Sequence, residues 1–184
     1  RVTIAGAVLI RGSFGGDWAV YADAAVRVAE GRPYYGIDSG YVGPPWLAEA
    51  LGLVAWLFPW FMPWGPYILL IGVGFAALWR HLPPDPGQLV IVGACLTPAM
   101  AFGQIVPLLV GLVAWGLVAG NAVPLALAVL VKPTWIVPLG VILLAERRYR
   151  DLAAVGVSLV VALALWWGAL LQWQAAIPVY WDTL

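Results

Sequence analysis

Residues 50–79 have the sequence ALGLVAWLFPWFMPWGPYILLIGVGFAALW, which contains no charged side chain. A second uncharged run covers residues 152–181, and Lys132 is the only charged residue between Pro86 and Ala145. These runs exceed the roughly 20 apolar residues that a membrane-spanning helix needs. The sequence therefore predicts an all-α protein that crosses a membrane several times.

The composition points in the same direction. Of the 184 residues, 64% are hydrophobic and 10% are charged, whereas about 25% of the residues of a soluble domain are charged. Nine basic and nine acidic residues balance, so no surplus of positive charge attracts nucleic acid. The single cysteine, Cys95, is interpreted as a small core residue, and no residue cluster has metal-ligand spacing. We therefore expect no nucleic acid, metal or cofactor in the site.

The uncharged runs divide into seven predicted membrane spans. The first, residues 1–11, has the appearance of a truncated span, because the segment between Arg1 and Arg11 makes only about 14 Å of helix. A long external loop, 12–43, precedes six further spans within 44–173, and residues 174–184 begin another external segment. We expect a single transmembrane domain that is a fragment of a longer protein.

Two parts of this arrangement are less regular. Residues 17–30 carry apolar side chains at helical spacing, which predicts an amphipathic helix along the membrane surface. Residues 88–120 are too many for one straight span, so they are interpreted as two short helices that meet near Gln104. The span predicted for residues 121–145 contains Lys132.

Asp17 has two compatible interpretations. It follows two glycines at the start of the predicted surface helix, where a carboxylate accepts hydrogen bonds from the unpaired N–H groups of the first turn. At the edge of the membrane it can also act as a catalytic base that takes a proton from a hydroxyl group.

Three other polar residues stand in apolar surroundings. Inserting Lys132 into a span costs on the order of 2.5 to 3.5 kcal/mol, so it either pairs with a carboxylate or snorkels, or it binds a lipid phosphate. Gln104 either binds a ligand or satisfies backbone groups at a helix break. Glu49 either reaches the interface or pairs with Lys132 or an arginine of the loop.

Six short motifs resemble glycosyltransferase family 87 in their order and spacing. They are Gly16-Asp17-Trp18-Ala19-Val20-Tyr21, Gly31-Arg32-Pro33-Tyr34, Tyr41-Val42-Gly43-Pro44-Pro45, Gly103-Gln104, Lys132-Pro133-Thr134 and Arg147-Arg148-Tyr149-Arg150. The family consists of integral membrane enzymes of the GT-C type, many of them mannosyltransferases. Gly43 and Val106 depart from the family pattern, which commonly has an aromatic and a polar residue there.

The resemblance implies a GT-C-like module of about seven transmembrane helices in a bacterial-type plasma membrane. It implies an enzyme that transfers mannose or another hexose, with inversion, from a polyprenyl-phosphate donor to a lipid or glycan acceptor. The acidic residue of the first external loop is matched by Asp17. The candidates for binding the donor phosphate or sugar are Lys132, Gln104, Arg27, Arg32 and Arg80, with Tyr21, Tyr34, Tyr41 and Glu49 in support.

An alternative function is that of a non-catalytic subunit derived from a transferase, which serves as a scaffold among other membrane subunits. A transporter is a weaker interpretation, because the sequence shows no repeated halves.

Overall fold

The computed structural model of the chain describes residues 16–35, 40–81 and 85–182, and all regular structure in these ranges is helical. The helices are α1 (Gly16–Ala29), α2 (Pro45–Leu57), α3 (Gly65–His81), α4 (Pro86–Ala101), α5 (Val106–Val118), α6 (Ala122–Val131), α7 (Ile136–Ala145), α8 (Tyr149–Leu165) and α9 (Trp167–Asp182). A 3₁₀ turn, Pro133–Trp135, separates α6 from α7.

Local sequence signals account for several helix ends. Pro45 begins α2 after an extended Pro44, a position where proline's missing N–H costs nothing. Asn121 caps α6, because its side-chain oxygen accepts a 2.9 Å hydrogen bond from the amide of Val123. Arg147 lies two residues after the end of α7 and has a φ of 58°, which is the left-handed conformation typical of helix termini.

The chain divides into two compact units. The first contains the described residues up to Ile68, Met100–Gln104 and the residues from Trp166 onward. Its core lies where α1 packs on α2, and its buried side chains include Trp18, Ala24, Tyr41 and Ala48. Gly52 of α2 permits this packing, since a Cβ there would collide with the Val28 side chain.

The second unit comprises Leu69–Ala99 and Ile105–Leu165. One apolar cluster joins α6, α7 and α8 through Leu125, Val129, Leu139, Leu143 and Val155. Another joins α5 and α6 through Leu108, Leu109, Leu112 and Ala128.

The prediction of a GT-C-like module of seven transmembrane helices is wrong. Within residues 16–35, 40–81 and 85–182, no helix combines the length and apolar character required to cross a membrane. The longest described helices, α3 and α8, have 17 residues and measure about 25 Å, whereas the hydrocarbon layer is about 30 Å thick. The predicted span 121–145 is broken at Lys132 into two helices of ten residues. The expected multi-pass location in a bacterial plasma membrane is therefore not supported.

The helix expected over residues 17–30 forms as α1, but its predicted position on a membrane surface is also wrong. Trp18 is 1% exposed, and Ala24 and Ala25 are fully buried. The apolar side of α1 is thus covered by the protein itself. The predicted first span, residues 1–11, lies outside the described residues, as do 12–15 and 36–39 of the predicted loop.

Candidate functional site

The N-terminal end of α1 is fixed to the turn that follows α4. The backbone amide of Asp17 donates a 2.9 Å hydrogen bond to the carbonyl of Phe102. The Tyr67 hydroxyl donates a 2.8 Å hydrogen bond to the carbonyl of Met100, in the last turn of α4. Gly103 has a φ of 76°, which glycine adopts without a steric penalty. These contacts bring Asp17 close to the segment that carries Gln104, and we call this region the Asp17 corner.

Aromatic rings surround the base of the corner. Trp18 contacts Tyr67 with ring centroids 5.3 Å apart and Tyr21 at 6.2 Å. Its indole N–H donates a 2.8 Å hydrogen bond to the carbonyl of Pro63. Because Trp18 is buried and bonded at its one polar atom, it holds α1 in a fixed position.

The Asp17 side chain is exposed and lies in the first turn of α1, after Gly16. A carboxylate in this position is stabilised by the helix dipole. Burial raises the pKa of the Tyr21 phenol, and the charge of Asp17 raises it further. The same two causes, in the same order, raise the pKa of Tyr67. The corner therefore combines an exposed carboxylate with two phenols that remain protonated at neutral pH.

The other end of α1 carries a second group of the predicted site residues. Arg27 pairs with Asp23 one turn earlier on α1 at 2.7 Å, and Arg32 pairs with Glu30 at 2.5 Å. The Tyr34 hydroxyl donates a 3.2 Å hydrogen bond to Glu49.

Glu49 has a partner that the sequence did not predict. The indole N–H of Trp166 donates a 2.6 Å hydrogen bond to the second carboxylate oxygen of Glu49. The pairing with Lys132 or with an arginine of the loop, which the sequence suggested, is not observed. Nothing in the sequence links positions that are 117 residues apart, so only the folded structure reveals this bond.

Tyr41 supports the fold of the first unit. It is 2% exposed, contacts the rings of Tyr21, Tyr34 and Tyr35, and donates a 2.7 Å hydrogen bond to the carbonyl of Pro44. Burial is the main cause of its raised pKa. Burial likewise raises the pKa of Tyr34 and Tyr35, with a smaller contribution from the charge of Glu49. A buried phenol of this kind positions its neighbours and is not available to a ligand.

The predicted site residues of the first unit thus form two groups. Asp17, Tyr21 and Gln104 belong to the corner, and Arg32, Tyr34 and Glu49 lie near the C-terminal end of α1. The twelve helical steps from Asp17 to Ala29 correspond to about 18 Å. The Tyr41 ring lies between the two groups, since it contacts Tyr21 of the first and Tyr34 of the second.

The two remaining candidates belong to the second unit. Lys132 is exposed and ends α6, where its amide donates a 3.0 Å hydrogen bond to the carbonyl of Ala128. It does not lie in the middle of a span, as the sequence suggested, and its ammonium has no ion-pair partner among the described residues. Arg80 is exposed near the end of α3.

In the described ranges, no group of three or more histidine, cysteine or acidic side chains is arranged to hold a metal ion. Comparison of the chain with protein-family models, with curated proteins and with solved structures gives no match.

Proposed function

We propose that the protein transfers mannose or another hexose from a polyprenyl-phosphate donor to a lipid or glycan acceptor, with Asp17 as the catalytic base. The hydrogen bond from the Asp17 amide to the Phe102 carbonyl carries this proposal. It brings together two of the motifs, Gly16-Asp17 and Gly103-Gln104, that carry the resemblance to glycosyltransferase family 87. The reaction does not require Asp17 to be buried, since an incoming hydroxyl group must be able to reach the carboxylate that accepts its proton.

In the proposed reaction, the acceptor oxygen attacks the anomeric carbon while the bond from that carbon to the phosphate oxygen breaks. The acceptor's proton passes to the Asp17 carboxylate, and polyprenyl phosphate departs with the bonding electron pair. Attack on the face opposite the leaving group inverts the anomeric centre. Since phosphate is a good leaving group, the protein needs chiefly a base and hydrogen-bond donors.

Gln104 and Tyr21 are the proposed donors. The amide of Gln104 has two N–H groups and is half-buried. Tyr21 is also half-buried, and its raised pKa keeps its proton in place at neutral pH. Both groups are uncharged, so they can donate to a phosphate oxygen or a sugar hydroxyl without competing for the proton that Asp17 accepts.

A non-catalytic, scaffolding role is the second candidate, and the surface of α8 favours it. Val157, Val160, Val161 and Leu165 are exposed and recur at helical spacing along this helix. A continuous apolar stripe of this kind usually marks a surface that contacts a partner. A scaffold needs this stripe and does not need the Asp17 carboxylate.

The two candidates are separated by a transfer assay on the purified chain. Radiolabelled polyprenyl-phosphate mannose and polyprenyl-phosphate glucose are supplied in detergent, together with short mannosides and glycolipids as acceptors. The proposal expects a labelled product of inverted anomeric configuration and release of polyprenyl phosphate. An intact, folded chain that transfers neither sugar contradicts the proposal and favours the scaffold.

A further inference from the structure

A groove of about 500 Å³ lies between the C-terminal end of α1 and one side of α2. Val28 and Ala29 contribute from α1, and Glu49, Leu53 and Trp56 contribute from α2. Its volume is within the range of about 300 to 1,000 Å³ that is usual for small-molecule sites. Gly52 also lines the groove, and its lack of a side chain lets α2 approach Val28 of α1.

Glu49 lines this groove, and both of its carboxylate oxygens are held by hydrogen bonds. One carboxylate oxygen accepts from the Tyr34 hydroxyl at 3.2 Å, and the other accepts from the Trp166 indole at 2.6 Å. Each oxygen has a further lone pair, so the carboxylate can still accept hydrogen bonds from a ligand. Two neighbouring hydroxyl groups match this arrangement, because each can donate to one oxygen.

The charges around the groove disfavour an anionic ligand. Arg32 lines the groove, but its guanidinium is 2.5 Å from the Glu30 carboxylate. The negative charge of Glu49 is therefore not offset within the groove, and a phosphate group would be repelled. Arg32 can still direct N–H groups toward a neutral oxygen.

Trp56 provides an aromatic surface on the same groove. Its side chain is 67% exposed, although tryptophan is highly buried on average. Leu53, one turn earlier, is 58% exposed. An open indole face packs well on the carbon–hydrogen face of a sugar ring, whose outward hydroxyls remain free for hydrogen bonds.

We propose that this groove binds a neutral saccharide, with Glu49 accepting from sugar hydroxyls and Trp56 stacking against the ring. The inference is independent of the proposed transfer reaction, since neither Asp17 nor Gln104 lines the groove. Binding here does not require a donor phosphate or a base.

The test measures binding of neutral monosaccharides and disaccharides of mannose and glucose by ligand-observed nuclear magnetic resonance. The wild-type chain should bind at least one of them weakly, in the millimolar range. Trp56→Ala should weaken that binding at least about tenfold, which corresponds to the loss of one good anchor residue. Glu49→Gln should weaken it several-fold. Trp60→Ala, which removes a 76% exposed indole outside the groove, should have no effect.

Asp17→Asn separates this inference from the proposed function, because it should abolish transfer and leave saccharide binding intact. The inference is overturned if the wild type binds none of the sugars, or if Trp56→Ala binds them as tightly as the wild type does. It is also overturned if choline or inorganic phosphate occupies the groove in place of sugars. Trp56 is exposed, so its variant remains informative even if Glu49→Gln fails to fold.

Discussion

The indole N–H of Trp166 donates a 2.6 Å hydrogen bond to the Glu49 carboxylate and joins residues 117 positions apart in the sequence. The Trp46 ring, three residues before Glu49, contacts the Trp166 ring at a centroid distance of 6.0 Å. Because the hydroxyl of Tyr34 binds the other oxygen of Glu49, this carboxylate ties three segments of the first unit together.

Trp166→Phe should lower the free energy of unfolding by about 1 to 3 kcal/mol, since it removes a donor from a charged, half-buried acceptor. Trp167→Phe is the matched control. Trp167 is 62% exposed, so its variant should change stability by less than about 0.5 kcal/mol. Chemical denaturation followed by circular dichroism measures both. Equal effects of the two substitutions would show that the bond does not stabilise the fold.

Two glycines allow α3 and α5 to approach each other closely. A Cβ on Gly74 would collide with the carbonyl of Pro107, and one on Gly111 would collide with the carbonyl of Gly74. Both obstacles are backbone atoms, so neither can move aside as a flexible side chain does. Gly74→Ala should therefore destabilise the protein by about 1 to 3 kcal/mol.

Gly72 is the control for this prediction, because it lies on the same helix and a Cβ there meets nothing within 4 Å. Gly72→Ala should stabilise the protein by about 0.5 to 1 kcal/mol through helix propensity. Thermal unfolding of both variants measures the difference. Stabilisation by Gly74→Ala would contradict the close approach of α3 and α5.

Arg147 follows the end of α7 in the left-handed conformation that glycine adopts most easily. Its amide donates to the carbonyl of Leu144, and the amide of Arg148 donates to that of Leu143, which together form a Schellman motif. At a φ of 58°, a residue that has a Cβ carries a conformational cost of about 1 to 2 kcal/mol that glycine does not. Arg147→Gly should therefore raise the free energy of unfolding by about 1 kcal/mol. Arg147→Ala keeps the Cβ and should leave it nearly unchanged, and equal stability of the two variants would contradict this account.

The first unit should lose stability in alkaline solution. Burial raises the pKa of Tyr21, Tyr34, Tyr35, Tyr41 and Tyr67 above the value of about 10 expected in the unfolded chain. The unfolded chain then releases protons that the folded chain keeps. The contribution of the tyrosines to stability is thus complete below about pH 10 and is lost as the pH rises toward the folded pKa values.

Tyr41→Phe tests this explanation. Below about pH 9 the variant should be less stable by about 1 kcal/mol, since it loses the hydrogen bond to the Pro44 carbonyl. Above about pH 10 its stability should fall less steeply than that of the wild type, by up to about 1.4 kcal/mol per pH unit. Denaturant titrations across this range measure both effects, and parallel pH profiles would contradict the buried-tyrosine explanation.

Local sequence signals predicted several helix boundaries well. The break expected near Gln104 lies between α4 and α5, and the Pro44-Pro45 pair marks the start of α2. The predicted number of membrane crossings was wrong because the length of an uncharged run does not determine the lengths of the helices within it. Lys132 and Pro133 end α6 after ten residues, and no hydropathy window detects such an interruption.

The candidate site was predictable only where a sequence motif marked it. Asp17 and Gln104 were identified from short polar motifs in apolar surroundings, and the fold brings their segments together. Trp166 and Trp56 resembled the chain's many other aromatic residues, so no local signal distinguished them. The position of Glu49 on α2 relative to Asp17 on α1 depends on how the two helices pack, and the motifs do not contain this information.

Turnover of the Asp17→Asn variant with a polyprenyl-phosphate sugar is the measurement that decides whether Asp17 acts as a base. Asparagine keeps the size of the side chain, but it accepts no proton at neutral pH. Transfer should therefore fall by at least about a hundredfold, while the free energy of unfolding falls by no more than about 1 kcal/mol through the lost interaction with the helix dipole. Asp23→Asn, whose carboxylate is paired with Arg27 on the same helix, should retain most of the activity. Wild-type turnover by Asp17→Asn would contradict the account.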